Sequence, residues 1–240
     1  MKSDPRRRDL MHMAAVGLSA SLLGAATRSR AAEPIVVLSH QGVRSWTTSY
    51  LGMDALTLEL TEGEQARRTD DARGGRPAYA VVPGAFQDGV IEVDLAADLN
   101  DRASAAAAAA VGLVFRLDDD ARFEAIQLRM EDGALSHPPP PAQRRLKAVR
   151  YVSHPGLPLE GARDDAPGVH ERSAFIGPAR WHRLRLDIVG RRLVAGVDGQ
   201  HVLSVDDLRL DRAGRVALWV GDGTRGQFAN LSIVPAGARR

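Results

Sequence analysis

The chain has 240 residues, a formal net charge of +2, 44% hydrophobic residues and no cysteine. The lack of cysteine excludes a disulfide framework, a thiolate nucleophile and a cysteine metal site. Residues 1–31 hold six basic groups (Lys2, Arg6, Arg7, Arg8, Arg28, Arg30) against Asp4 and Asp9, and subtracting this +4 from the whole leaves −2 for the remainder. A net acidic remainder lacks the basic face that nucleic-acid binding needs, so no nucleic-acid partner is expected.

The N-terminal segment comes first in chain order. Arg7-Arg8-Asp9-Leu10-Met11 is a twin-arginine pattern, followed by a mild apolar stretch over 11–26 broken by Gly17, Ser19, Ser21 and Gly24. Ser29-Arg30-Ala31 is a small-x-small site. Residues 1–31 therefore read as a bacterial export leader of the twin-arginine (Tat) type, cut after Ala31. An ordinary secretory signal or an uncleaved anchor fits less well, given the low hydrophobicity and Arg28 and Arg30. The apolar stretch is shorter than the ~20 residues of a spanning helix, so no stable membrane span is expected. This reading implies the Tat translocase as a partner during export and a periplasmic or secreted destination. Residues 33–235 suit one domain that needs no disulfide staples, with a short tail at 236–240.

The remainder predicts strands. Residues 35–38 read as a first strand, 55–60 alternate as a half-buried strand does, and 62–76 read as a polar loop. A short strand at 79–82 ends at the turn signal Pro83-Gly84. Residues 90–96 alternate most clearly, with Ile91, Val93 and Leu95 on one face and Glu92 and Asp94 on the other. Strands at 111–117 and 123–130 flank a hairpin loop at 118–122. Strands at 181–189 and 193–197 pair across 190–192, and Asp198-Gly199 is a hairpin turn signal leading to 202–205. Strands at 215–220 and 227–233 close the domain. No helix longer than two turns is predicted. Regular short strands without βαβ alternation indicate an all-β, antiparallel sandwich or barrel.

Two segments depart from this pattern. Residues 103–110 are alanine apart from Ser104, too few to hold a helix alone, and read as an insertion between strands. Residues 136–172 begin with Pro138 to Pro141, which a central strand excludes. They also carry Tyr151, His154, Pro155, Pro167, Gly168 and His170, and are expected to fold over one face, with a strand around 148–152.

Glu92 and Asp94 are the leading candidates for chemistry, because alternate strand residues share a face. Glycosidases use two carboxyl groups. The Glu-x-Asp-x-Glu arrangement of family 16 glycoside hydrolases would need a glutamate at Ala96, so its acid/base is missing. The alternative is two solvated acidic residues. Arg116, Gln127 and Arg129 form a second set, expected on the face of Glu92 and Asp94 because Phe115 and Leu128 would take the core. They would bind sugar hydroxyls, or form an arginine–carboxylate network with Glu92 or Asp94. The histidines lack zinc-site spacing, and no nucleophile-elbow or phosphate-binding glycine motif occurs. Asp118-Asp119-Asp120 offers oxygen ligands for calcium, or is a solvated turn. Trp181 and Trp219 read as core or inter-sheet packing, and Trp46 as a loop residue.

The ordered series of segments 86–94, 112–116, 123–129, 150–155, 167–171, 181–185, 203–208, 216–224 and 228–231 resembles a bacterial laminin-G-like domain of the concanavalin A-like lectin/glucanase superfamily. The resemblance spans about Leu38 to Val234. It implies a two-sheet jelly-roll sandwich with a concave face, in a superfamily of lectins, glycanases and sugar-binding modules. On this reading the protein is an exported carbohydrate-recognition protein without assigned catalytic residues, cofactor or metal. Its ligand site would be Glu92, Asp94, Arg116, Gln127 and Arg129, with Tyr151 offering an aromatic surface and His154 beside it at the rim. One alternative is a glycoside hydrolase or an enzyme resembling 3-keto-disaccharide hydrolases, with Glu92 or Asp94 as base and His154 or Glu171 as acid. Another is an interaction module with no small ligand.

Overall fold

The computed structural model describes residues 33–70, 77–155 and 169–237. The leader at 1–31, Pro167, Gly168 and the last three residues of the tail lie outside them. Fourteen strands are described: β1 (Ser39–Gln41), β2 (Val43–Tyr50), β3 (Met53–Leu60), β4 (Tyr79–Phe86), β5 (Gly89–Leu99), β6 (Ala110–Leu117), β7 (Phe123–Arg129), β8 (Val149–His154), β9 (Glu171–Arg172), β10 (His182–Val189), β11 (Arg192–Val197), β12 (Gln200–Val205), β13 (Gly214–Val220) and β14 (Thr224–Pro235). They form two seven-stranded antiparallel sheets, the β-sandwich expected of the sequence. The first runs β1-β4-β13-β6-β7-β8-β9 and the second β12-β11-β10-β5-β14-β3-β2. No helix among the described residues is long and apolar enough to cross a membrane.

The core lies between the sheets. Ile91, Val93 and Leu95 of β5 and Leu184, Leu186 and Ile188 of β10 meet Leu113, Phe115, Ile126, Leu128, Leu218 and Val220 of the first sheet. Each such side chain contributes about 1.5–3 kcal/mol by leaving water. Alternation is clean in β10 of the second sheet, where every other residue is buried, and absent in β6 of the first sheet, where every residue is buried. A second apolar cluster, including Tyr79, Val114, Phe123, Ala125, Val152, Ala217 and Trp219, occupies its other face. Burial on both faces is why Ala110-Val-Gly-Leu-Val-Phe lacks a polar alternate.

The structure differs from the predicted elements at four places. Residues 35–38 form no strand, and the supposed first loop instead holds β2, with Trp46 in it. Leu51 and Gly52 both have positive φ and close the β2–β3 hairpin, the geometry a two-residue loop requires. The predicted loop at 62–76 contains α1 (Glu62–Asp70). Thr61-x-x-Glu64 is a capping-box sequence, and the Thr61 hydroxyl accepts the Glu64 N–H at 3.3 Å. Pro83-Gly84 does not end β4 but bulges it: Arg215 pairs with Ala85 while Val216 pairs with Val82. The Asp198-Gly199 turn forms as expected, with both residues at positive φ. A second, one-turn helix, α2 (Ala142–Arg145), follows the prolines.

Candidate functional site

The expected single polar face does not exist, because its residues belong to different sheets. Glu92 and Asp94 lie on β5 and point away from the core on the second sheet, while Arg116, Gln127, Arg129, Tyr151 and His154 lie on β6, β7 and β8 of the first. Packed sheets are ~10 Å apart, and Glu92 and Asp94 lie on the far side of theirs. The proposed base and the proposed acids, His154 and Glu171, are thus out of hydrogen-bond reach, and that enzyme pairing is overturned.

Both carboxylates of β5 are held by β10, whose register sets Arg183 opposite Asp94 and Arg185 opposite Glu92. Arg183 grips Asp94 with both prongs, at 2.7 and 2.9 Å, and Asn230 donates to the same carboxylate at 2.6 Å. Glu92 is more exposed and takes one bond from Arg185, at 3.0 Å. Asp94→Ala is therefore expected to lose about 1.5–3 kcal/mol, the worth of charged hydrogen bonds, and Glu92→Ala less than about 0.5 kcal/mol. Thermal melts check this, and equal losses would contradict the assignment.

Arg116 is fully buried and leaves the polar face altogether. A register shift between β6 and β13 places it at a bulge with φ of +54°, which turns its side chain to one end of the sandwich. There it donates to the carbonyls of Gln87 (3.0 Å), Gly190 (2.7 Å) and Leu210, and to the Asp88 carboxylate (3.0 Å). Glu124 lies 3.7 Å away and accepts from the Tyr151 hydroxyl at 2.7 Å. Arg116 thus joins an arginine–carboxylate network, but with Asp88 and Glu124 and not with Glu92 or Asp94 as expected. Tyr151 is buried on the core side, so it offers no aromatic surface to a ligand.

Burial pushes the Glu124 carboxyl up, against the opposing pull of Tyr151, the Arg209 and Leu210 amides and Arg116. A raised folded pKa contributes stability that is complete below the unfolded value and lost as pH rises through the folded one. Stability should therefore fall across that window, and Glu124→Gln should remove this part of the slope. A variant with the same pH profile of Tm would contradict this.

A row of residues missed in the sequence crosses the first sheet on the face away from the core. Registers align Gln41 with Tyr79, Tyr79 with Trp219, Trp219 with Gly112, Gly112 with Gln127, Gln127 with Arg150 and Arg150 with Glu171. Of the expected residues, Gln127 and Glu171 stand in it, with Arg129 and His154 elsewhere on the same face. Tyr79 donates to Gln41 at 3.2 Å. Arg150 and Glu171 are buried, and Nε and Oε1 approach to 2.8 Å in charge contact, off the hydrogen-bond direction. Gly112 leaves bare backbone between Trp219 and Gln127, because a Cβ there would sit 2.3 Å from the Ile126 carbonyl oxygen.

Two members of the row are buried with polar atoms unused. Neither the side-chain oxygen nor the nitrogen of Gln127 has a hydrogen-bond partner, and neither does the Trp219 indole N–H. Each such group costs about 1–3 kcal/mol of desolvation. The row sets side by side an aromatic ring, an amide that both donates and accepts, and a guanidinium–carboxylate pair, all of them buried.

The remaining candidates are engaged within the fold. His154 stacks on Phe123 at 5.2 Å, and burial lowers its pKa, favouring the neutral ring. Arg129 donates to Asp132 at 2.6 Å. The Asp118 carboxylate takes bonds from Arg122 and Arg212, and Arg215 bonds Asp119. Trp181 packs edge-on against Tyr50 at 5.7 Å. Trp219 faces away from the inter-sheet core where it was expected.

No family model matches the chain, and no curated protein matches it. Among solved structures it is similar to the carbohydrate-binding module CBM66 from Bacillus subtilis, at 14% identity over 80% of this chain and 95% of that one, with a TM-score of 0.48. It is similar to the Caenorhabditis elegans galectin LEC-6, at 15% identity over 67% and 94%, TM-score 0.40. A functionally unknown protein from Saccharomyces cerevisiae aligns at 14% identity over 83% and 97%, TM-score 0.47. No residue role carries over at these distances.

Proposed function

We propose that the protein is an exported, non-catalytic carbohydrate-recognition protein of the laminin-G-like kind. Its site is the outer face of the first sheet, where Tyr79, Trp219, Gln127, Arg150 and Glu171 form one row. The observation that carries this reading is the unused hydrogen-bonding capacity of Gln127 and Trp219. A sugar ring presents C–H faces to an aromatic side chain and hydroxyls that donate and accept, which matches this set. Glu92, Asp94, Arg116 and Tyr151 serve the fold in this reading.

The compact unit Ala32–Arg240 is the form to test on a glycan array, beside Trp219→Phe and Gln127→Leu. Binding lost in folded variants is the expected result. An array with no binding by the parent, or undiminished binding by both variants, would overturn the proposal. Export is tested separately. Replacing Arg7 and Arg8 with lysine should trap the precursor in the cytoplasm, and unchanged export of that variant would sink the leader assignment.

A further inference from the structure

Beyond the saccharide reading, and independent of it, we propose a second ligand site: a cleft beside α2 that takes a small amphipathic carboxylate, an apolar body with one anionic end. The cleft has a volume of about 380 Å³ and opens to solvent between residues 134, 142–146 and 173–175. Small-molecule sites run from about 300 to 1,000 Å³. Its wall is apolar: Leu146, Phe175 and three alanines, Ala134, Ala142 and Ala174. Phe175 is 71% and Leu146 58% exposed, so this apolar surface faces solvent instead of the core, as a binding surface does. Among the described residues, none of the row lines the cleft.

Both walls are fixed by the fold. The Ala134 N–H donates to the Ala174 carbonyl and the Leu135 N–H to that of Ile176, each at 3.0 Å. On the other side α2 is tied down by Arg144, whose Nε donates to the buried Asp132 carboxylate at 2.6 Å. The polar lining is Arg145 and Ser173. The Arg145 guanidinium has no ion pair or hydrogen bond among the described residues. The nearby carboxylates are engaged elsewhere. Asp132 is held by Arg129 and Arg144, Glu131 accepts from the Ser136 hydroxyl at 3.0 Å, and neither lines the cleft. A carboxylate matches the fork of a guanidinium, and charge-assisted bonds are the stronger kind. The apolar chain or ring of the same molecule covers Leu146 and Phe175 and releases water from them. A sugar ring would instead leave hydroxyls unpaired against the apolar wall.

Titration calorimetry on the unit Ala32–Arg240 tests this at low salt and near-neutral pH, with octanoate, 3-phenylpropanoate and octan-1-ol, each below its aggregation limit. At least one of the two acids should bind saturably, about ten-fold or more tightly than the alcohol. Which acid binds better tells a chain from a ring. Arg145→Gln should bring the acid to the affinity of the alcohol at unchanged Tm, and Arg145→Lys should restore part of the difference. Phe175→Ala should weaken acid and alcohol alike. No saturable binding of either acid, equal binding of acid and alcohol, or a preference that survives Arg145→Gln overturns this inference. The glycan array reads a different surface, so the saccharide reading stands or falls by itself.

Discussion

Gln127→Leu is expected to raise stability by roughly 1–3 kcal/mol and to abolish saccharide binding. The gain follows from the unpaired amide, since a buried donor and acceptor without partners cost their desolvation, and an apolar side chain of similar size removes that cost. Gln127 has Gly112 on one side and Arg150 on the other, so a leucine meets a bare strand and an aliphatic stem. For a domain of about 200 residues each kcal/mol shifts Tm by roughly 2–4 °C, within reach of a thermal melt. The opposite signs separate a ligand site from a structural one. A residue kept for the fold would destabilise when replaced, and a Tm lowered in Gln127→Leu would contradict the unused amide and with it the proposed site.

Arg116→Met is expected to cost about 3–5 kcal/mol, the loss seen when one partner of a buried ion pair is removed. The methionine fills the apolar stem but strips the donors from the Gln87, Gly190 and Leu210 carbonyls and leaves Glu124 buried without its cation. Those carbonyls belong to the β4–β5 turn, the β10–β11 turn and the connection before β13, so the end of the sandwich loosens as a unit. Urea unfolding measures the effect, and a loss under about 1 kcal/mol would contradict the role of Arg116 as the tie between these segments. Adding Glu124→Gln to Arg116→Met should recover part of the loss, because the uncompensated charge is then gone.

The residues show which features of the fold were legible without coordinates. Side-chain parity is local, so Ile91, Val93 and Leu95 were correctly placed in the core and Glu92 and Asp94 outside it. Asp198-Gly199 was legible because two consecutive positive φ values suit few other pairs. Thr61-Glu-Gly-Glu64 carried a helix start that its polar composition concealed. Partnership between strands is not local. β6 and β7 are sequence neighbours that pair, but β5, just before them, joins the other sheet between β10 and β14. The polar faces of β5 and β7 therefore look in opposite directions, although both alternate as strands should. A single bulge at Arg116, invisible in the spacing, turned one expected ligand residue into a structural tie. Tyr79, Trp219, Gln127, Arg150 and Glu171 are scattered along the chain from position 79 to position 219, and only the register of the first sheet draws them into one row. The sequence by itself determined an all-β, antiparallel fold, sandwich or barrel, because alternation and turn chemistry are written in adjacent residues. The tertiary structure alone decided the candidate site, because strand order and register arise from long-range packing.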